Sequence, residues 1–133
     1  MTDFLDVALS EQELNGISTL ALAHIGDCVY ELLVRTYLLR QGKHTNRRMH
    51  EATLSYVSAP AQARAVEKIL PRLTEEETAV WKRGRNSYVN SVPKNASVAD
   101  YHAATGLEAL FGWLYLRGER GRAGELFDLI TAD

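Results

Sequence analysis

The sequence predicts an all-α protein. Apolar residues recur at spacings of three and four along most of the chain. No stretch alternates polar and apolar with comparable quality, and helix-start signatures precede several of the periodic segments. Leu20, Ala23, Asp27, Tyr30, Glu31 and Val34 share one helix face. That helix begins before Leu20 and stops near Gly42, glycine being a common residue just past a helix end. A second helix fits Asn46 to Tyr56. Ser58 followed by Ala59 and Pro60 starts a third, since proline is tolerated in a first turn, and it ends near Pro71. Thr74 with Glu77 forms a capping box, opening a fourth helix through about Arg83. GRNSYVNSVPKN then reads as a loop punctuated by Gly84 and Pro93. Ser97 with Asp100 caps the next helix, which runs through Arg117. Gly118 or Gly121 separates it from a last helix, Ala123 to Thr131. No repeat, low-complexity tract or linker interrupts the pattern.

A chain of 133 residues is most simply one domain, and 46% hydrophobic residues suffice for a core. Charged residues make up 24%, as in ordinary globular proteins. Cys28 is the single cysteine, so neither an intrachain disulfide nor a cysteine zinc cluster can form. That fits a reducing, cytoplasmic setting. The acidic start MTDFLDVALSEQEL is not a signal peptide. No uncharged apolar run reaches the roughly 20 residues that span a membrane.

The net charge of −2 conceals an asymmetry. Residues 32–50 contain Arg35, Arg40, Lys43, Arg47 and Arg48 and no acid. Residues 78–99 contain Lys82, Arg83, Arg85 and Lys94 and no acid. The acids gather at the N-terminus, at Glu75 to Glu77, and from Glu119 onward. A locally basic face can bind a polyanion, and it can equally be two solvated helix ends.

Two carboxylates stand inside strongly apolar segments: Asp27 in TLALAHIGDCVYELLV and Glu108 in GLEALFGWLYL. An ionised carboxylate is costly there unless a positive or hydrogen-bonding group meets it. Ala23 and Gly26 lie near Asp27, and Ala104, Thr105 and Gly112 near Glu108, so two helix backbones can approach closely and leave space for an ion. Two facing carboxylates raise each other's pKa unless a cation lies between them, and a hard divalent ion with oxygen ligands meets that need. The alternatives are partly exposed acids, or acids paired with arginine or histidine. Glu31 either shares the face of Asp27 or pairs with Arg35 at i, i+4. His24 reads as a packed or surface residue, and Cys28 as buried filler. His44 and His102 lack ligand spacing, and no phosphate-cradling glycine loop occurs.

LALAHIGDCVYELLVRTYLL resembles the signature helix of the ribonuclease III family, with its Leu-Gly-Asp core written Ile25-Gly26-Asp27. SVADYHAATGLEALFGWLYL resembles that family's second catalytic helix, with Glu-Ala-Leu-Phe-Gly at Glu108 to Gly112. Between them, YVSAPAQARAV, KRGRN and PKN match the short subfamily called mini-ribonuclease III. The likeness covers roughly residues 14–117 in order and spacing. It implies a ribonuclease III endonuclease-domain-like helical bundle acting as a homodimer. It implies Mg²⁺-dependent hydrolysis of double-stranded RNA to 5′-phosphate and 3′-hydroxyl ends, with Asp27 and Glu108 as catalytic metal ligands. The subfamily's role is maturation of the 23S ribosomal RNA precursor, and ribosomal protein L3 is the partner it suggests. The chain ends soon after the second catalytic helix, which leaves no room for a separate double-stranded-RNA-binding domain. Full-length family members carry a glutamate four residues before the aspartate and an aspartate three before the glutamate; here these positions are Ala23 and Thr105. One magnesium is therefore the safer expectation than two, with waters on Thr105 or backbone completing its shell.

Duplex RNA presents a wide minor groove of 2′-hydroxyls flanked by phosphates, so recognition goes by shape. Arg83, Arg85, Asn86, Lys94 and Asn95 are the candidates for phosphate contact, and Arg47, Arg48 and His50 form a second patch. Leu107, Leu110, Phe111, Trp113, Leu114 and Leu116 surround their helix on nearly all sides, which marks it as buried, in part at a subunit interface. Two other readings compete: a catalytically inactive RNA-binding or ribosome-associated module of the same fold, and an all-α nucleotide pyrophosphohydrolase. The latter needs clustered acids of the E-x-x-E type, which the consecutive Glu75 to Glu77 do not supply.

Overall fold

Helix α6, Val98–Leu116, is the axis on which four of the other helices pack. The structure, a computed structural model, describes residues 2–87 and 97–132. In chain order the other helices are α1 (Glu11–Asn15), α2 (Thr19–Arg40), α3 (Asn46–Val57), α4 (Ala59–Ile69), α5 (Glu75–Arg85) and α7 (Arg120–Thr131), with a 3₁₀ turn at Leu70–Arg72. No strand occurs among the described residues. No helix among them is long and apolar enough to cross a membrane. The all-α expectation holds, and most predicted boundaries agree within two or three residues.

The caps explain the boundaries. Ser18, Thr45, Ser58, Thr74 and Ser97 each accept a backbone N–H from the first turn of the following helix. Thr74 and Glu77 complete the expected capping box. Ser10 and Glu13 form a second one, opening the short α1. Both residues of that S-x-x-E pattern stand in the sequence, so α1 was legible there and overlooked.

α6 contacts α2, α5, α4 and α7. Leu107, Ala109, Leu110, Phe111 and Leu114 are fully buried within this one chain. Its all-round apolar character is therefore met by these four helices, and no subunit interface is needed to explain it. Tyr30 of α2 stacks edge-on against Phe111 and Phe127, tying α2, α6 and α7 together. The buried face of α2 runs through Leu22, Ala23, Gly26, Tyr30, Val34 and Leu38. Of the residues expected to share one face, Ala23, Tyr30 and Val34 are buried, whereas Leu20 is 45% exposed and Asp27 is exposed, and Gly26 occupies the contact line.

Gly84 is helical in α5 and is not a loop residue. A Cβ there would lie 2.7 Å from the Cα of Gly106, so glycine is kept for close approach of α5 and α6. Trp81 donates its Nε1–H to the carbonyl of Ala103 across the same contact. The last helix begins at Arg120, three residues earlier than expected, after Gly118 turns the chain at φ +80°.

Buried Glu77 receives two hydrogen bonds from Arg122, both at 2.8 Å. Those bonds hold its carboxyl below the usual carboxylate range. An acid whose native pKa is depressed stabilises the fold above its unfolded value and loses that contribution as pH falls through the native one. Arg122→Ala is expected to cost about 3 kcal/mol at pH 7 by stranding a buried carboxylate. The cost is expected to shrink below the ordinary carboxylate pKa of 4.5. Urea titrations of both proteins at pH 7 and pH 4 check the magnitude and the sign.

Candidate active site

Asp27 and Glu108 are brought together by a glycine-to-glycine crossing. A Cβ on Gly26 would lie 1.6 Å from the carbonyl oxygen of Glu108 and 2.8 Å from the amide of Gly112. A Cβ on Gly112 would lie 2.1 Å from the carbonyl of Leu22. The backbones of α2 and α6 are thus in direct contact, with Asp27 next to Gly26 and Glu108, whose carbonyl is part of the contact, one turn before Gly112. The small residues noted in the sequence do set up this approach, though the contact is made by the glycines.

The two carboxylates differ in setting. Asp27 is exposed and Glu108 is partly buried. Burial, and then the negative charge of Asp27 facing it, push the Glu108 carboxyl up to about 8. A hydrogen bond from Gln62 acts against that rise. Gln62 is 2% exposed on α4, and its Nε2 donates to Glu108 Oε2 at 3.4 Å and to the Val57 carbonyl at 3.1 Å. Its Oε1 is buried with no hydrogen-bond partner among the described residues. The sequence reading passed over Gln62. Its signal was present: a lone amide on the apolar face formed by Ala61, Ala65, Val66 and Ile69.

Ala23 is buried one turn before Asp27 and offers no ligand. Thr105 is also buried, and its hydroxyl donates to the Tyr101 carbonyl at 3.0 Å, so that proton is committed within α6. Glu31 takes the second of its predicted roles, pairing with Arg35 at 3.0 Å. Cys28 is exposed, contrary to the expectation of buried filler, because α2 turns that flank to solvent. His24 is exposed. Among the described residues no group of three or more His, Cys, Asp and Glu side chains gathers at one point.

The predicted RNA contacts fall in two places. Arg83, Arg85 and Asn86 lie at the C-terminal end of α5, where Gly84 meets Gly106, two residues before Glu108. Arg85 stacks on Trp81 at 4.9 Å and donates to the Asn86 side chain, so it is partly held in place. Arg83 is exposed. Lys94 and Asn95 lie outside the described residues. Arg47 and Arg48 lie in the first turn of α3, and Arg47 pairs with Glu51 at 3.4 Å. His50 belongs to the same exposed end and lines a cleft with Arg35, His44 and Met49. α3 packs on α2, so this second patch is carried by the other catalytic-candidate helix.

An all-α bundle whose two acids meet across its central helix crossing has the form of a helical endonuclease domain. Residues 20–119 match the Ribonuclease III domain family, and the chain belongs to that family and is an endoribonuclease. Its relatives include proteins named Mini-ribonuclease 3. The one from Clostridium tetani is 42% identical over 96% of this chain and 85% of its own length. The one from Symbiobacterium thermophilum is 45% identical over 80% of this chain and 82% of its own. A crystal structure of a Fusobacterium nucleatum protein superposes with a TM-score of 0.81 at 29% identity, covering 90% of this chain and 97% of that one. The family and the short subfamily expected from the sequence are both borne out.

Proposed function

We propose that this endoribonuclease cleaves double-stranded RNA, with Asp27 and Glu108 holding one Mg²⁺ between them. The observation that carries the reading is the facing pair itself. One acid is partly buried, and burial together with the facing charge of Asp27 raises its carboxyl to about 8, a penalty that a divalent cation between the two would reverse. The residues present fit such an ion. They supply anionic oxygens from two rigid helices and a buried, unpartnered amide oxygen beside them. The bound ion supplies a Lewis acid for the phosphoryl oxygen and a lower pKa for the attacking water. Asp27, at the exposed edge, faces the RNA backbone, while Glu108 anchors the site from within. Hydrolysis joins the water oxygen to phosphorus and breaks the bond to the 3′ oxygen, leaving a 5′-phosphate and a 3′-hydroxyl. With Ala23 and Thr105 at neighbouring positions, the carboxylates present serve one ion.

The basic residues hold the duplex by its phosphates. Arg83, Arg85 and Asn86 at the end of α5, with Lys94 and Asn95 further along the chain, are proposed as one set of phosphate contacts, and Arg47 and Arg48 as the second. A homodimer would place two such sites against the two strands of one duplex. An apolar face that includes Leu5 and Leu32, respectively 67% and 59% exposed, supports association with a second copy. The proposed substrate is the 23S ribosomal RNA precursor in the cytoplasm, with ribosomal protein L3 as a partner. The absence of carboxylates at Ala23 and Thr105 also favours a second reading, an RNA-binding module that does not turn over.

The test is incubation of equal-length double-stranded RNA, single-stranded RNA and double-stranded DNA with the protein and Mg²⁺. Cleavage confined to the RNA duplex is expected. Binding without turnover would favour the second reading. Affinity for the duplex is expected to fall about 10²- to 10³-fold between 50 and 200 mM salt, as roughly four to six phosphate contacts require. A change below about threefold in a filter-binding titration would remove the basic patches from the account.

A further inference from the structure

We infer that Gln62 is a positioning residue that fixes the Glu108 carboxylate toward Asp27 and so builds the cation site. The inference rests on the metal reading above and assigns a role to a residue outside the two acids. α2 and α6 offer Glu108 no other side-chain donor one turn away. Ala104, Phe111 and Gly112 have none, and Thr105 spends its hydroxyl proton on Tyr101. From α2, Ala23 and Gly26 bring only backbone and a methyl group. Apart from Asp27 itself, Gln62 is the side chain among the described residues that hydrogen-bonds Glu108, and it comes from a third helix.

Gln62 is costly where it stands. A glutamine amide has two donors and an acceptor with two lone pairs. Here the donors go to Val57 and Glu108, and the buried acceptor has no partner among the described residues. A leucine or methionine of similar volume would fill the same space among Ala61, Ala65 and Ile69 without that cost. Packing alone therefore does not account for an amide here. Holding one Glu108 oxygen with an N–H leaves the other oxygen to face Asp27. The free Oε1 is an acceptor suited to a water on the cation. Groups of this kind, which orient a ligand without touching the metal, typically change metal affinity 10- to 100-fold when removed.

The competing role is structural, since the same amide also meets the Val57 carbonyl at the end of α3. Titration calorimetry with Mn²⁺ alone, without RNA, separates the two. Gln62→Met is expected to weaken Mn²⁺ binding 10- to 100-fold and to lower kcat on duplex RNA by a similar factor. KM for RNA and the thermal midpoint of the metal-free protein are expected to stay at or above the wild-type values. Gln62→Asn keeps the amide on a stem too short to reach both partners, and it is expected to weaken Mn²⁺ in the same way. In a Glu108→Gln background, Gln62→Met is expected to weaken Mn²⁺ no further, because its effect passes through Glu108. Wild-type Mn²⁺ affinity in both Gln62 variants would overturn the inference, as would an equal added loss in the Glu108→Gln background. If Glu108→Gln itself binds Mn²⁺ like wild type, the metal reading fails before Gln62 is considered.

Discussion

Glu108→Gln is expected to lose about 10³-fold or more in cleavage rate while gaining stability in the absence of metal. The loss follows from the proposed chemistry. The exchange keeps the shape and removes one of only two anionic ligands. A bound ion that contributes about 4 kcal/mol to the transition state corresponds to about three orders of magnitude in rate. The gain follows from the raised carboxyl of Glu108, which burial and Asp27 push up to about 8. An acid whose native pKa lies above its unfolded value costs stability as pH rises from 4.5 toward the native value. Glutamine carries no charge and avoids that cost. Thermal unfolding in chelator is therefore expected to give a higher midpoint for the variant at pH 7.5, with the difference closing near pH 4.5. A residue that merely supports the fold would move activity and stability down together. Asp27→Asn is expected to abolish cleavage as well, with a smaller stability change because Asp27 is exposed.

Gly26→Ala is the second large effect, and it acts through the backbone. One methyl group at this position would sit 1.6 Å from the Glu108 carbonyl oxygen and 2.8 Å from the Gly112 amide. Neither is the end of a flexible side chain, so α2 and α6 must separate. Overpacking of a tight contact costs about 1–3 kcal/mol, and a clash with main chain lies at or above the upper figure. The expected destabilisation is at least about 3 kcal/mol, or roughly 10 °C in Tm. Separation of the helices also pulls Asp27 from Glu108, so activity is expected to fall beyond what the folded fraction explains. Gly121→Ala provides the control, since a Cβ there meets nothing within 4 Å. A Gly26→Ala protein with wild-type Tm would show that the crossing is looser than described.

The parts of this fold that are written locally could be read from the sequence. Ser58-Ala59-Pro60 and the Thr74–Glu77 capping box state helix starts within a few residues, and the structure uses both as written. The two acids stood out because carboxylates in apolar helices need an explanation. What could not be read was anything set by the angle at which helices cross. The spacing put Asp27 on one face with Ala23, Tyr30 and Val34, which are buried, but it could not show that Gly26 takes the contact line and leaves Asp27 exposed at its rim. Gly84 looked like a loop signal because glycine disfavours helix interiors, and only the neighbouring Gly106 shows why it is tolerated. The apolar surround of α6 suggested a subunit interface, whereas four helices of the same chain cover it. Gln62 escaped notice because its partner lies 46 residues away. The local sequence cannot announce a contact between helices so far apart.

The measurement that bears most directly on the central claim is cleavage of a long double-stranded RNA by the wild-type protein and by Asp27→Asn, each with Mg²⁺ and with chelator. Products from the wild type with Mg²⁺ alone, carrying 5′-phosphates, are the expected result. Cleavage by wild type in chelator, or by Asp27→Asn at the wild-type rate with Mg²⁺, would contradict a cation site built on Asp27 and Glu108.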